Sequence, residues 1–285
     1  MEYYEQIYDK FERLDIEFIY NDIDAWQNNP NFNQIYNKLW LVSKQGIDCG
    51  PIGTDVNKYP IIIKPIINLY GFSRGFKIIK NEEEYLSNQI DGFFWMPYLK
   101  GKNYTIDLIL DNGKIVGVYA LESKPSLFGS FKYHVYRPDY KLSDKNRLFI
   151  ENILEGYSGP VNVEIINEII IEAHLRLNGD IYNYDDNFFI ELYKLINGQE
   201  YNLIVSKKKF YLFPYFVGNN FDESFLDKKK IEKILIEHNV KNIRWDEIDI
   251  EFQGHELKRL FMIKTDKLKT GTQIVNKVDN LLKKE

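Results

Sequence analysis

Apolar and polar positions along the chain predict short strands that alternate with helices. A continuous apolar run over residues 59–65 indicates a buried strand that stops with Lys64-Pro65 at a ligand site. Residues 104–110 alternate between apolar and polar, Asn112-Gly113 is a strong hairpin turn, and 114–122 predict the returning strand. Strands that are interspersed with helices and joined by hairpins are typical of the α+β or mixed α/β classes.

A second hairpin is predicted where Val161 to Ile166 is followed by Ile169 to Arg176. Helix signals elsewhere include Asn81 before three glutamates, and Ser143-Asp144 followed by a stop at Gly156. The segment before position 37 is polar and aromatic and has no clear period. The remaining predicted elements are helices at 37–45, 188–196 and 272–283 and strands at 76–79, 203–217 and within 241–265.

The composition is that of a chain that can pack a core and carries no excess of positive charge. Apolar residues make up 44% of the 285 residues and charged residues 28%, which is typical of globular domains. The formal net charge of −5 gives no electrostatic footprint for nucleic-acid binding. The basic runs 207–209 and 228–230 are interpreted as solvated surface rather than as phosphate sites.

Cysteine content and hydropathy predict a cytosolic protein without a membrane span. Cys49 is the single cysteine, which excludes an intramolecular disulfide and argues against a cysteine-based zinc site. The first residues are polar and lack the apolar core of a signal peptide. No apolar run approaches the roughly 20 residues that a transmembrane helix requires.

The first candidate for chemistry is Lys64 with the glycine-bearing loop 71–75 that follows it. A lysine at the end of a buried strand and a flexible glycine loop can surround a triphosphate with one cation and several backbone N–H groups. The alternative is a strand that surfaces at Lys64 and simply turns at the two glycines. This segment alone supports both interpretations equally, because short glycine motifs often occur by chance.

The second candidate is a set of charged residues after the second hairpin turn. Glu172, His174 and Arg176 are two residues apart and therefore share one face of a strand. Together with Glu164 they offer two carboxylates for Mg²⁺ and an arginine for phosphoryl oxygens. Glu172 follows three isoleucines, where a carboxylate needs a partner or a metal. The alternative is an exposed edge hairpin with alternating charge.

The metal interpretation makes a demand on the register of this hairpin. With a simple two-residue turn, Glu164 would oppose Ile171 and Glu172 would point to the other face of the sheet. Both carboxylates share a face only if Glu164 opposes Glu172 and Asn162 opposes His174, which needs a third loop residue or an equivalent β-bulge. We therefore predict the centred register.

The other histidines carry no comparable signal. His134 stands among aromatic residues and is interpreted as a packed side chain, while His238 and His255 lie in polar contexts. The sequence contains no recognisable Ser-His-Asp triad, Walker loop or dinucleotide fingerprint.

Taken in order, the segments between about residues 37 and 200 resemble the ATP-grasp superfamily. Each motif is short, and it is their joint order and spacing that carries the resemblance. The matching segments are Asn37-Lys38 with Lys44 to Ile47, Tyr59 to Pro65, Gly71 to Gly75, Met96 to Asn103, Asn162 to Glu164, and Glu172 to Arg176 followed by Asn178-Gly179.

The resemblance implies the ATP-grasp fold, in which two α+β lobes clasp ATP. Residues Met96 to Asn103 resemble the family's hinge between the two lobes. This hinge would hold adenine through the Pro97 carbonyl and the Leu99 N–H. Asn103 stands where the family often has a glutamate that binds the ribose hydroxyls. The implied nucleotide-binding residues are Lys38, Lys64, Gly71, Ser73, Arg74, Gly75, Pro97, Leu99 and Asn103.

The resemblance also implies a metal site beside two catalytic side chains. Glu164, Glu172 and His174 occupy the family's Mg²⁺ positions, and Arg176 and Lys64 would act in catalysis. The family has an asparagine, whose oxygen suits Mg²⁺, where this chain has His174. Either His174 contacts the residues that bind the metal rather than the metal itself, or the metal preference of the site shifts toward Mn²⁺, because imidazole nitrogen suits softer metals.

Four regions are expected from the extent of the resemblance. They are a shortened N-terminal segment at 1–36, a small lobe at 37–100, a large lobe at 101–200 and a C-terminal extension at 201–285. Family ligases usually carry a full domain ahead of the two lobes. The site for the acceptor substrate is therefore expected to be reduced, to be supplied by the C-terminal extension, or to be completed by a partner protein or a second copy of the chain.

The implied activity is that of an ATP-dependent ligase. It would activate a small-molecule or peptide carboxylate as an acyl phosphate for attack by an amine, a thiol or another nucleophile. The alternatives are a small-molecule kinase on the same fold and a nucleotide-binding protein without turnover. The presence of both lysines, both carboxylates and the arginine favours catalysis.

Overall fold

The computed structural model describes residues 11–70, 75–125, 131–178, 184–204, 206–218, 221–222, 224, 226–240, 243–252 and 255–282. Over these ranges the chain forms two antiparallel β-sheets with helices packed against them, and the expected α+β class is confirmed. No helix in this part of the chain is long and apolar enough to cross a membrane.

A four-stranded sheet, which we call the small sheet, has the strand order β1-β4-β2-β3. Its strands are β1 (Gly50–Pro51), β2 (Ile61–Pro65), β3 (Lys77–Ile79) and β4 (Phe93–Pro97). Strand β2 lies inside the sheet between β4 and β3, and Ile61 and Ile63 are fully buried. This position explains the continuous apolar run, because both faces of the strand are covered.

An eight-stranded sheet, the large sheet, has the order β11-β12-β10-β7-β6-β5-β8-β9. Its strands are β5 (Asn103–Asp111), β6 (Lys114–Pro125), β7 (Phe131–Tyr136), β8 (Gly159–Ile166), β9 (Ile169–His174), β10 (Tyr211–Gly218), β11 (Ile243–Phe252) and β12 (His255–Thr265). Strand β10 pairs with β7. The strands after residue 200 therefore continue the sheet that the central part of the chain begins.

Two of the helices begin at the capping residues that the sequence predicted, Asn81 and Ser143. The described helices are α1 (Asp22–Asn28), α2 (Lys38–Ser43), α3 (Glu82–Leu86), α4 (Asp144–Ile153), α5 (Asp186–Ile196), α6 (Lys228–Glu237) and α7 (Leu268–Leu282). Asn37, Asn81 and Ser143 each accept a hydrogen bond from a first-turn N–H of the helix that follows. The β5–β6 turn has positive φ at both Asn112 and Gly113, as a tight hairpin turn requires.

Two sequence expectations differ from the structure. Residues 203–217 were expected to be one strand, but strand β10 begins only at Tyr211. The segment before Asn37 has α1 and a 3₁₀-helix at Pro30–Tyr36, although its sequence has no apolar period. Each of these elements has 7 residues, which is too short for a repeating apolar face to be visible.

An apolar cluster joins the two sheets along the cleft between them. Its buried members are Val42, Ile62, Phe94, Met96 and Ile171. Ile62, Phe94 and Met96 come from the small sheet, whereas Ile171 comes from the β8–β9 hairpin of the large sheet. The cleft is therefore floored by packed side chains from both lobes.

Candidate active site

The β8–β9 hairpin has the centred register. Glu164 lies opposite Glu172, and Asn162 lies opposite His174. The turn has two residues, and a β-bulge between Glu164 and Ile165 supplies the extra residue on β9. The prediction of a centred register is confirmed, with the bulge in the role of the longer loop. We call the sheet face that carries Glu164 and Glu172 the cleft face.

The bulge also changes what the hairpin presents to the small lobe. Ile171 joins the apolar cluster in the cleft, and the next residue, Glu172, contacts a lysine of α2. Gln45, just after α2, anchors this edge strand, because its side chain donates to the Ile170 carbonyl (2.7 Å) and accepts from the Ile170 N–H (2.9 Å). The exposed-edge interpretation is wrong, since α2 and Gln45 cover the strand.

The two candidate lysines meet the hairpin from different elements. Lys38 is the first residue of α2, and its Nζ lies 2.7 Å from Glu172 Oε1. Lys64 is buried in β2, and its Nζ donates to the carbonyl oxygen of Ile171 at 2.9 Å. Burial lowers the pKa of Lys64 to about 8, although Glu172 acts against this shift. The structure thus brings both lysines to the carboxylates.

Glu172 is the most strongly compensated carboxylate of the site. Burial alone would raise its pKa, but the nearby Lys38 ammonium and the hydrogen bond from His174 hold the pKa well below its usual range. Glu164 has the opposite balance, because burial and the facing Glu172 charge raise its pKa. The hairpin therefore places one ionised carboxylate beside one that is short of positive charge.

His174 is enclosed between two carboxylates. Its Nδ1 lies 2.9 Å from Asp22 Oδ1, and its Nε2 lies 3.2 Å from Glu172 Oε1. Burial and the neighbouring Arg176 act to lower the pKa of His174, but the two carboxylates outweigh them and raise it. In this arrangement both ring nitrogens of His174 lie within hydrogen-bonding distance of a carboxylate oxygen.

Asp22 is a site residue that the sequence interpretation missed. Its Oδ2 accepts from Arg176 Nη2 at 2.7 Å, so Asp22 holds both His174 and Arg176. Burial would raise its pKa, but the hydrogen bond from His174 and the charge of Arg176 lower it overall. The available signal was Asn21 before Asp22, because Asn21 caps α1 and starts the helix at this residue. We call Asp22, Lys38, Lys64, Glu164, Glu172, His174 and Arg176 together the charge cluster.

Glu164 and Glu172 are the carboxylates that could hold a divalent cation. Glu164 is half-buried and faces Glu172, and no hydrogen bond or ion pair is found for it among the described residues. Two facing carboxylates, one of them without a directly bonded cation among the described residues, suit an oxygen-preferring cation such as Mg²⁺. Over the ranges the structure describes, no group of three or more His, Cys, Asp and Glu side chains is arranged as a metal site. The fit therefore rests on the two glutamates.

The hinge lies at the end of the small sheet. Strand β4 ends at Pro97, the Tyr98 N–H donates to the Pro60 carbonyl, and Leu99 packs on the edge of the apolar cluster. Asn103 begins β5, and its buried Oδ1 has no hydrogen-bond partner among the described residues. These residues border the apolar cluster that joins the two sheets.

The phosphate-loop expectation is covered only at one end. Gly71, Ser73 and Arg74 lie outside the described residues. Gly75 has a φ of +75°, and a Cβ at this position would lie 2.8 Å from the ring of Phe93. The backbone at Gly75 therefore requires a glycine, both for its conformation and for space.

Comparisons with known proteins concern the fold. No family model matches the sequence. No curated protein matches it either. The chain is similar to L-amino acid ligase from Bacillus licheniformis, with a TM-score of 0.55, 12% identity, and coverage of 88% of this chain and 72% of that chain.

Two further solved structures have the same architecture. N5-carboxyaminoimidazole synthase from Aspergillus clavatus, in complex with ADP and 5-aminoimidazole ribonucleotide, has a TM-score of 0.59 at 9% identity over 89% of this chain and 75% of that one. The N5-carboxyaminoimidazole synthetase from Staphylococcus aureus, complexed with ADP, has a TM-score of 0.58 at 12% identity over 88% and 72%. This chain has the ATP-grasp fold, as the sequence resemblance predicted.

Proposed function

We propose that this protein is an ATP-dependent ligase that activates a carboxylate as an acyl phosphate for attack by an amine or another nucleophile. The observation that carries the proposal is the charge cluster itself. Two buried lysines, two facing glutamates and an arginine converge on the cleft between the sheets. Phosphoryl transfer is catalysed mainly by positioning and by neutralising charge, which is what such a cluster provides.

The nucleotide would lie across the cleft with its adenine at the hinge. Pro97 C=O and Leu99 N–H would bind the adenine edge, and the apolar cluster would cover its ring. The buried Oδ1 of Asn103 has no partner in the described chain, which supports a role in accepting a ribose hydroxyl. Lys38, Lys64 and the loop with Gly71, Ser73, Arg74 and Gly75 would surround the phosphates.

Glu164 and Glu172 would hold the metal ion, which we propose to be Mg²⁺. When bound, such an ion neutralises phosphate charge and orients the transferred group. Arg176 would steady the transferred phosphoryl group, and Asp22 fixes its guanidinium in place. Two roles were open to His174. Its contacts with Asp22 and Glu172 support the role in which it touches a metal-binding residue rather than the metal itself.

The first test is the melting temperature with and without Mg-ATP. A ligand that binds only the native state stabilises it by about 2.7 kcal/mol at a hundredfold excess over Kd, which corresponds to several degrees for a chain of this size. Lys64→Ala should remove most of the shift and remain folded. An unchanged melting temperature of the wild type at millimolar ATP would contradict the proposal.

The second test identifies the reaction. Pools of acids and amines are incubated with Mg-ATP, and mass spectrometry measures ADP together with any coupled product. A condensed product that forms with ADP and phosphate supports the ligase. A stable phosphorylated product without condensation would instead identify a kinase, and ATP binding without either product would identify a nucleotide-binding protein.

A further inference from the structure

A pocket lies on the cleft face, next to the charge cluster, where it runs along β5, β6 and β7 and opens to solvent. We call it the aromatic pocket, and its lining includes Asp107, Tyr119, Tyr136, Tyr184, Phe188 and Phe210.

The strand registers place the aromatic pocket beside the metal carboxylates. Asp107 is paired with Asn162, and its neighbour on the same face, Thr105, is paired with Glu164. Diagonal partners on one face of an antiparallel sheet are about 7–8 Å apart. Asp107 and Glu164 stand in this diagonal relation, so the carboxylate of the pocket lies one side chain away from the proposed site of phosphoryl transfer.

Asp107 is a buried carboxylate, and among the described residues only uncharged groups contact it directly. Its oxygens accept hydrogen bonds from Asn162 Nδ2 (2.8 Å), the Asn178 N–H (2.7 Å) and the Tyr184 hydroxyl (2.6 Å). Within the described chain no salt bridge to Asp107 is found, although the residue is only 3% exposed. A carboxylate has about four acceptor positions. The three hydrogen bonds leave one of these positions open. Because buried carboxylates are normally paired with a cation, the open position suits a positively charged ligand.

The walls of the pocket suit a cation that carries an apolar body. The ring of Tyr184 stacks on Phe188 at 4.2 Å, and Tyr136 stacks on Phe210 at 4.7 Å. Aromatic faces attract ammonium groups and pack against hydrocarbon. The hydroxyl of Tyr119, a residue that is 4% exposed, has no hydrogen-bond partner in the part of the chain that the structure describes. Such a group costs stability unless a ligand satisfies it.

From this geometry we infer that the aromatic pocket binds a primary amine on an aromatic or apolar body, which serves as the acceptor substrate. As an acceptor site the inference rests on the proposed ligase function, whereas amine binding does not. The lining residues Ile204, Ser206 and Phe210 come from the segment after residue 200. Of the three alternatives expected for the acceptor site, this origin favours the one in which the C-terminal extension supplies it.

The test measures binding in the absence of ATP by isothermal titration calorimetry at pH 7. The probes are phenethylamine, 2-phenylethanol and 3-phenylpropionate, which share a ring and differ in the end group. The amine is expected to bind at least about tenfold more tightly than the alcohol, because hydrogen bonds to a charged group are the stronger ones. The acid is expected not to bind. Equal affinities for the amine and the alcohol would overturn the inference.

Two variants and two matched controls locate the effect. Asp107→Asn should abolish the preference for the amine. Asp111→Asn should leave that preference intact, although Asp111 lies on the same strand as Asp107 and also accepts a hydrogen bond from a tyrosine hydroxyl. Tyr119→Phe should weaken amine binding about three- to tenfold. Tyr140→Phe removes another buried hydroxyl, which lies outside the pocket and has no hydrogen-bond partner among the described residues. This variant should leave the affinity for the amine unchanged. An amine preference that survives Asp107→Asn would contradict the assignment.

Failure of this inference can be separated from failure of the proposed function. If Mg-ATP stabilises the protein but phenethylamine and phenylethanol bind alike, the pocket assignment is wrong and the ligase proposal stands. If phenethylamine binds through Asp107 but Mg-ATP has no effect, the pocket assignment stands and the ligase proposal is wrong. Lys64→Ala should lose the response to ATP and keep the affinity for the amine.

Discussion

The charge cluster and the aromatic pocket each contain a buried aspartate, but the two aspartates respond oppositely to burial. At Asp22 the desolvation that raises a carboxyl pKa is outweighed by the bonds from His174 and Arg176, and the pKa is lowered. At Asp107 burial dominates over the hydrogen bonds from Tyr184, Asn178 and Asn162 and over the charge of Arg176, and the pKa is raised to about 6. Hydrogen bonds from neutral groups do not replace a cation.

The difference between the two aspartates indicates that the charge cluster and the aromatic pocket suit different kinds of cation. In the charge cluster the cations of the chain compensate Asp22 and Glu172, whereas Glu164 has no directly bonded cation among the described residues. In the aromatic pocket the chain supplies donors and rings around Asp107, but no ammonium or guanidinium bonds to it in the described residues. The first region suits a divalent cation, and the second suits an organic one.

The largest effect on stability is expected from Lys38→Met, which breaks a buried ion pair. Lys38 is 4% exposed and Glu172 13%, so the remaining glutamate would be left largely buried beside Glu164. Removal of one partner of such a pair costs about 3–5 kcal/mol. Urea unfolding at pH 7 measures the loss.

Lys64→Met is the matched control for Lys38→Met. Lys64 is also buried, but it donates to a backbone carbonyl, and its pKa is already lowered by burial. Its loss should cost less than about 2 kcal/mol, because the charge is itself unfavourable there. Equal destabilisation by the two variants would contradict the assigned pairing, although both should lose the response to ATP.

A smaller effect is expected from Asp22→Asn, which removes the charge that holds His174 and Arg176. Charge-assisted hydrogen bonds contribute about 1.5–3 kcal/mol each, and the partly retained polarity of asparagine should limit the cost to about 2–3 kcal/mol at pH 7. Because the pKa of Asp22 is lowered, its stabilisation is present above the usual value of 3.8 and is lost as the pH falls through the lowered value.

Unfolding free energies of wild type and Asp22→Asn at pH 7 and toward pH 3 test this explanation. The difference between the two proteins should shrink in acid. A difference that stays constant over this range would mean that Asp22 acts through packing rather than through charge.

The smallest effect at pH 7 is expected from Asp107→Asn, which should stay within about 1 kcal/mol of wild type. Asparagine can still accept from Asn162 and Asn178, and the Tyr184 hydroxyl can reverse its role. The pH dependence separates this variant from Asp22→Asn. A raised carboxyl pKa gives a stability contribution that is present below 3.8 and is lost as the pH rises through about 6.

The variant lacks this contribution, so its stability relative to wild type should rise between pH 4 and pH 7. The expected gain is about 1–3 kcal/mol. Urea unfolding across this range measures it. A relative loss of stability over the same range would show that Asp107 already has a cation partner in the protein.

Much of the fold was predictable because the signals are local. Asn37, Asn81 and Ser143 cap the helices that they were expected to start, and Asn112-Gly113 forms the tight turn that its residue types favour. The centred β8–β9 register was also predictable, because charge repulsion between Glu164 and Glu172 makes sense only with compensation nearby. The β-bulge that produces it carries no residue signature, since it depends on how Ile171 packs into the cleft.

The sequence by itself determined the strands, the turns and the order of motifs that indicates an ATP-grasp fold, because each depends on residues close together in the chain. Tertiary structure alone decided the partners of the site. Asp22 and His174 are 152 residues apart, and Asp107 and Tyr184 are 77 apart. No local pattern encodes such a contact, because it arises only when the sheets and helices pack. That packing made His174 the partner of two carboxylates and left Asp107 buried, with no cation bonded to it in the described part of the chain.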